Sequence, residues 1–220
     1  AGGGNWTLEA QAGAIETASV ADGAALAGYT GTLATLTVTS TADSGAGSFR
    51  QAVADANAAG GTDTIVFDAS LNNQTITLTS GVIAVTASVI IDGDLDGDDT
   101  PDVILSGGGT SRALEYSSTS TTGIALTVRS LEFADFTSTT AGAGAAIHFF
   151  TNSTPSVRGT LTITDSIFHG NSHTGTLANG GAVSVRGGTD FTIERSVFHS
   201  NTAGQNGGAL HFNNGVIGTV

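Results

Sequence analysis

The chain has 220 residues and a net charge of −13, built from 19 acidic residues against six arginines and no lysine. That balance makes nucleic acid and anionic membranes poor partners, because both require a basic footprint. No run of 18 apolar residues occurs, so no membrane-inserting helix is encoded in this stretch.

Hydrophobic residues reach 39% while charged residues fall to 11%, and 32 glycines supply turns. Such a chain can bury a core, which argues against disorder. Cys is absent, as in secreted proteins that fold without disulfides. The missing Met points to a processed N-terminus or to a sequence that starts inside its gene, and no signal-peptide pattern is present.

Residues 1–34 are Ala- and Gly-rich, with Trp6, Leu8, Ile15, Leu26, Tyr29 and Leu33 as the large anchors. This segment is read as an extended arm or linker. A β domain is expected over 35–220. It opens with TLTVTST (35–41), a strand with Leu36 and Val38 on one face. The period then changes: Phe49, Ala52, Val53 and Ala56 mark one face of a helix over about 48–59. Ser48 and Gln51 form a capping-box pair, and Gly60-Gly61 supplies the stop. The expected job of this helix is to close the first end of a β stack.

Short β-branched segments follow at TIVFD (64–68), QTITLTSG (74–81), VIAVTASVIIDG (82–93), DVILSG (102–107), RALEYSS (112–118) and GIALTVRSLEF (123–133). Turn residues separate them. LTITDSIFHGN (161–171) and FTIERSVFHSN (191–201) are near copies, and LTVRSLEFADF (126–136) is a weaker third. Each is followed by a matched phrase: GAAIHF (144–149), GGAVSV (180–185) and GGALHF (207–212). Repeats of this length, strand-like and glycine-bounded, predict an all-β fold, a right-handed parallel β-helix in which each coil buries its face against its neighbours. The repeat is longer than a bare coil, so loops are expected at 138–145, 151–159 and 173–181. Phe133, Phe168 and Phe198 share one register and Asn171 and Asn201 another, predicting an internal Phe stack and an Asn ladder. The closing segment 207–220 carries no cap. It is expected either to continue in a longer gene product or to be covered by another copy in a head-to-tail contact.

The sharpest chemical signal is IDGDLDGDDTPDV (91–103). Asp92, Asp94 and Asp96 before Gly97 give a D-x-D-x-D-G spacing that turns three carboxylates toward one hard cation, with Asp98, Asp99 and Asp102 adding oxygens. The twelfth position of a helix–loop–helix hand would be Glu, and here it is Val103. A calcium loop over 92–102 is therefore expected, with Asp92, Asp94, Asp96, Asp98 and Asp102 as metal ligands. A solvated acidic turn is the other reading. Among the histidines, His169 and His199 share a register, as do His148 and His211. Such a column, with the carboxylates Asp165 and Glu194 a few residues before the first pair, could bind a transition metal or act as a general base, although repetition alone can duplicate such residues. For a polysaccharide-cleaving enzyme, Asp165, Glu194, Glu132 and Asp135 are the available carboxylates. A lyase-type basic cleft is hard to build from Arg50, Arg112, Arg129, Arg158, Arg186 and Arg195 alone. NWT (5–7) and NST (152–154) match the N-glycosylation pattern by chance on this reading.

The segment LTVTSTADSGAGSFRQAVADANAAGGTDTIVFD (36–68) resembles the opening of bacterial secreted and surface β-helix proteins through Thr41, Asp43, Gly45, Gly47, Ser48, Arg50, Ala52, Val53, Ala56 and Asn57. The later repeat phrases are similar to those of polymorphic outer-membrane and autotransporter-type passengers, including adhesins. A Cys motif found in the first segment of some relatives is missing. The resemblance spans about 36–220 and implies a non-enzymatic extracellular or cell-surface module, structural or adhesive, that forms part of a surface layer or filament. Its partners would be further copies of itself or a surface glycan. The alternative is a polysaccharide-active β-helix enzyme, a glycosidase or lyase.

Overall fold

The structure is a computed structural model that describes residues 33–118, 123–140, 144–151, 158–176, 178–213 and 215–220. The expected arm, apart from Leu33 and Ala34, lies outside the described residues, as do both glycosylation-pattern sites and parts of the three expected loops.

Strand β1 (Thr35–Val38) leads into helix α1 (Phe49–Ala59). A first round of strands comprises β2 (Thr62–Phe67), β3 (Gln74–Thr77) and β4 (Ile83–Ala84). The second is β5 (Ser88–Asp92), β6 (Val103–Ser106) and β7 (Leu114–Ser117). The third adds a fourth short strand: β8 (Ala125–Arg129), β9 (Leu131–Ala134), β10 (Thr137–Ser138) and β11 (Ile147–Phe150). It is repeated by β12 (Gly159–Thr164), β13 (Ile167–His169), β14 (Ser172–His173) and β15 (Val183–Arg186). The fifth round is β16 (Thr189–Glu194), β17 (Val197–His199), β18 (Thr202–Ala203) and β19 (Leu210–Asn213), after which β20 (Ile217–Thr219) returns to the first sheet.

Each round sends its strands to the same sheets in the same order. The sheets are β1-β2-β5-β8-β12-β16-β20, β3-β6-β9-β13-β17, β10-β14-β18 and β4-β7-β11-β15-β19, and every ladder is parallel. Among the described residues the fold is thus all-β and parallel, with one α-helix.

Register places like on like. In the seven-stranded sheet Leu36, Ile65, Ile91, Val128, Ile163 and Ile193 form one continuous row. The next sheet carries Ile76, Leu105, Phe133, Phe168 and Phe198. The Phe133 and Phe168 rings stack at 4.7 Å, and Phe168 and Phe198 at 4.8 Å, with nearly parallel planes in both cases. Adjacent parallel strands lie about 4.8 Å apart, so an identical residue on each strand sets its ring at stacking distance with no adjustment of the backbone. The Asn ladder forms as expected. Buried Asn171 donates to Phe133 O and Asn201 Oδ1 at 3.0 Å and accepts from Phe136 N, while Asn201 donates to Phe168 O. Every polar group of this buried amide thereby finds a partner.

The GGA phrases have a steric origin. Gly144, Gly180 and Gly207 occupy equivalent turns, and a Cβ at any of them would collide with the carbonyl oxygen three residues on, at Ile147, Val183 and Leu210 respectively. Gly180 and Gly207 also have positive φ, which glycine adopts without strain.

Helix α1 buries the four residues expected from the sequence, Phe49, Ala52, Val53 and Ala56, against the core beside β1 and β2. Only half of the capping box forms. Ser48 Oγ accepts from Gln51 N, but the Gln51 side chain turns away to donate to Asp55. The residues that carry the family resemblance tie the helix to the first round. Arg50 pairs with Asp43 at 2.9 Å and donates to Gly81 O, and Asp43 accepts from the backbone N–H groups of Thr79 and Ser80. Asn57 donates to Ala84 O and accepts from Thr86 N and Ala87 N.

Partial burial would raise the Asp43 pKa, but hydrogen bonds from Ser80, Arg50 and Thr79 outweigh it and hold the carboxyl well below the usual carboxylate range. Its contribution to stability is therefore present above pH ~4 and lost as the pH falls toward the depressed folded value. Asp43→Ala is expected to cost about 1–3 kcal/mol in urea denaturation at pH 7, a deficit that shrinks below pH ~4. Phe168→Ala is expected to cost about 3–5 kcal/mol, and Phe198→Ala, at a part-exposed position, clearly less.

Candidate metal centre

The seven-stranded sheet turns into its neighbour through a tight corner in the later rounds. Ser130 alone separates β8 from β9, and Asp165-Ser166 and Arg195-Ser196 do the same job further along. Ser130, Asp165 and Arg195 all adopt left-handed backbone there, with φ of 49°, 54° and 47°. Between β5 and β6 the same corner is opened by residues 93–102. The acidic segment is thus an insertion at a corner, anchored at both ends by core strands.

Within it, backbone amides close a series of short turns on the carboxylates. Asp94 Oδ1 accepts from Gly97 N at 2.7 Å and from Asp96 N, and its Oδ2 accepts from Asp99 N. Asp102, 8% exposed, accepts from Leu95 N at 2.7 Å. Gly97 takes a positive φ of 85° at the tip. One oxygen each of Asp94, Asp96 and Asp102 lie within 4.8 Å of one another. Of the five expected ligands, the structure gathers these three. Asp92 instead pairs with Arg129 at 2.6 Å, its direct register partner on β8, and Asp98 accepts from Thr100 N and Oγ1. The sequence reading missed Arg129, although its position 37 residues on was a usable signal once the register was known.

Electrostatics separates the members. Asp96 is pushed up by desolvation and by its neighbours Asp98, Asp102 and Asp94. Asp98 is drawn down by the Thr100 hydroxyl and amide. Arg129 is pushed up by Asp92, with Asp94 and Asp99 adding to it. A converged trio of carboxylates is a hard-oxygen donor set, which suits calcium and not a soft metal. The residues present fit such an ion: Asp94, Asp96 and Asp102 would hold it, and it would cancel their mutual repulsion.

The remaining sequence candidates are engaged elsewhere. Asp165 accepts from Arg195 Nε and Nη2 at 2.6 and 2.8 Å and is held below the usual range. Glu194 contacts the same guanidinium, Glu132 meets His169, and Asp135 occupies a left-handed corner. A cavity of about 310 Å³ lies by Thr86, Glu115, Ser117 and Ile124, and none of those four carboxylates lines it. Buried His148 sits 3.1 Å from Glu115, whose carboxyl is drawn down first by that contact and also by Arg112, against the opposing effect of burial. His211 is lowered by burial, then by Arg186 and His173. No helix among the described residues is long and apolar enough to cross a membrane. No family model and no curated protein matches the chain.

Because the fold disfavours an ionised Asp96, Asp96→Asn is expected to melt at or above the wild-type temperature in chelator. The same variant should show a reduced gain on adding calcium. A variant that melts lower than wild type in chelator would contradict the repulsion argument.

Proposed function

We propose that the protein is a non-enzymatic extracellular module, a rigid right-handed parallel β-helix that serves as a structural or adhesive element at a bacterial surface. The observation that carries this reading is the fixed order of sheets, with like residues in register from Leu36 on β1 to Ile193 on β16. Parallel crossovers of this kind are right-handed almost without exception. The lock between Asp43, Arg50, Asn57 and the first round gives the residues that resemble secreted β-helix proteins a common structural purpose. The enzymatic alternative loses support because Asp165, Glu194 and Glu132 are held by Arg195 or His169.

Calcium at Asp94, Asp96 and Asp102 would stiffen the acidic corner. An ion that binds only the folded chain adds about 2.7 kcal/mol at a hundredfold excess over Kd. The melting temperature is expected to rise by several degrees with calcium relative to chelator, and an unchanged midpoint would remove the calcium assignment. The partners we propose are further copies of the chain, engaged head to tail, or a surface glycan.

The test is a glycan panel read for both retention and turnover, with sedimentation velocity over a range of concentrations. Retention without turnover, or growth into long species, is expected. Turnover abolished by Asp165→Asn or Glu194→Gln would establish the enzymatic alternative, and a monomer at every concentration would remove the filament.

A further inference from the structure

On the outer face of the β9-β13-β17 sheet, His169 and His199 are direct register partners. Their rings stack with centroids 5.0 Å apart and planes within 2° of parallel. His169 Nε2 is 2.8 Å from Glu132 Oε1, on the neighbouring strand β9. His199 is exposed, sits on the last strand of the sheet, and its Nδ1 has a long contact of 3.3 Å to Ser200 Oγ. This cluster is separate from the acidic corner and is built from a different kind of donor.

We propose that His169 and His199 form a second metal site, selective for a borderline transition ion such as Zn²⁺, Ni²⁺ or Cu²⁺. A carboxylate accepts hydrogen bonds, so the contact with Glu132 places a proton on His169 Nε2 and leaves the lone pair on Nδ1. That is the arrangement in which a carboxylate fixes the tautomer of a metal-ligating histidine. Imidazole suits Zn, Ni and Cu, whereas calcium and magnesium require oxygen. One ion about 2.0–2.1 Å from each of two nitrogens needs those nitrogens roughly 3–4 Å apart, closer than the ring stacking. His199 supplies the adjustment, because an exposed imidazole with one long contact can tilt at little cost. Glu132 acts as the orienting group, and water completes the coordination. The strong negative charge of the chain raises the local concentration of any dication near this face.

The experiment is calorimetric titration with Zn²⁺ in the presence of excess calcium, which keeps the acidic corner occupied. Wild-type protein is expected to bind one equivalent. His169→Ala and His199→Ala should each weaken binding at least tenfold, Glu132→Gln about tenfold or more, and Asp94→Asn/Asp96→Asn not at all. A second readout uses sub-stoichiometric Cu²⁺, which should broaden the ring-proton NMR signals of His169 and His199 ahead of those of His148, His173 and His211. The proposal is overturned if His199→Ala binds Zn²⁺ within twofold of wild type. It is equally overturned if only the aspartate variant loses the ion, or if copper broadens the five histidines alike.

Discussion

Parallel strands that pair in register repeat every side chain at a spacing of about 4.8 Å, and the whole molecule is organised by what tolerates that repetition. Isoleucine, valine and phenylalanine do, since a stacked column of identical apolar groups fills space with no need for a complementary partner. The row from Leu36 to Ile193 and the rings of Phe133, Phe168 and Phe198 are such columns. Amides tolerate it as well, because each carries donor and acceptor and passes the hydrogen bond along, as Asn171 and Asn201 do. Charges do not. Where charged residues occur, opposite or uncharged neighbours follow along the column: Asp92 meets Arg129, and Ser130, Asp165 and Arg195 succeed one another.

The corners carry the freedom that the strands lack. Ser130, Asp165 and Arg195 turn the chain in one or two residues, and the acidic segment replaces the same turn without disturbing Asp92 before it or Val103 after it. A binding loop can therefore be lengthened at a corner while both its ends stay fixed by core packing. On one outer sheet face the register sets His169 and His199 side by side, the arrangement on which the proposed second site rests.

Much of this was legible in the sequence, for reasons that also explain the gaps. The three C-terminal repeats are similar enough to align by eye, so the positions of Phe133, Phe168, Phe198, Asn171 and Asn201 could be read directly. Helix α1 was equally clear from its four-residue apolar face and Ser48. The earlier rounds were visible only as separate strands. Their equivalent positions hold Ile76 and Leu105 in place of Phe, so physical equivalence persists where identity has gone. The acidic loop was legible as composition and not as geometry. The five expected ligands included Asp94, Asp96 and Asp102, which the chain brings together, but it assigns Asp92 to Arg129, a contact across 37 residues that no local pattern reveals. Glu132 beside His169 was hidden for the same reason.

The measurement that tests the account most directly exploits the absence of native cysteine. Thr162 and Thr192 are register partners on β12 and β16, while Thr160 is partnered by Asp190, two residues out of step with Thr192. Partners in register have Cα atoms about 5 Å apart, within reach of a disulfide, and the offset pair is at roughly 8 Å, beyond it. Mild oxidation of Thr162→Cys/Thr192→Cys is predicted to give a fully cross-linked monomer, and Thr160→Cys/Thr192→Cys to remain reduced. Equal cross-linking of both pairs, or preference for the offset pair, would contradict the register on which the columns, the corners and both sites rest.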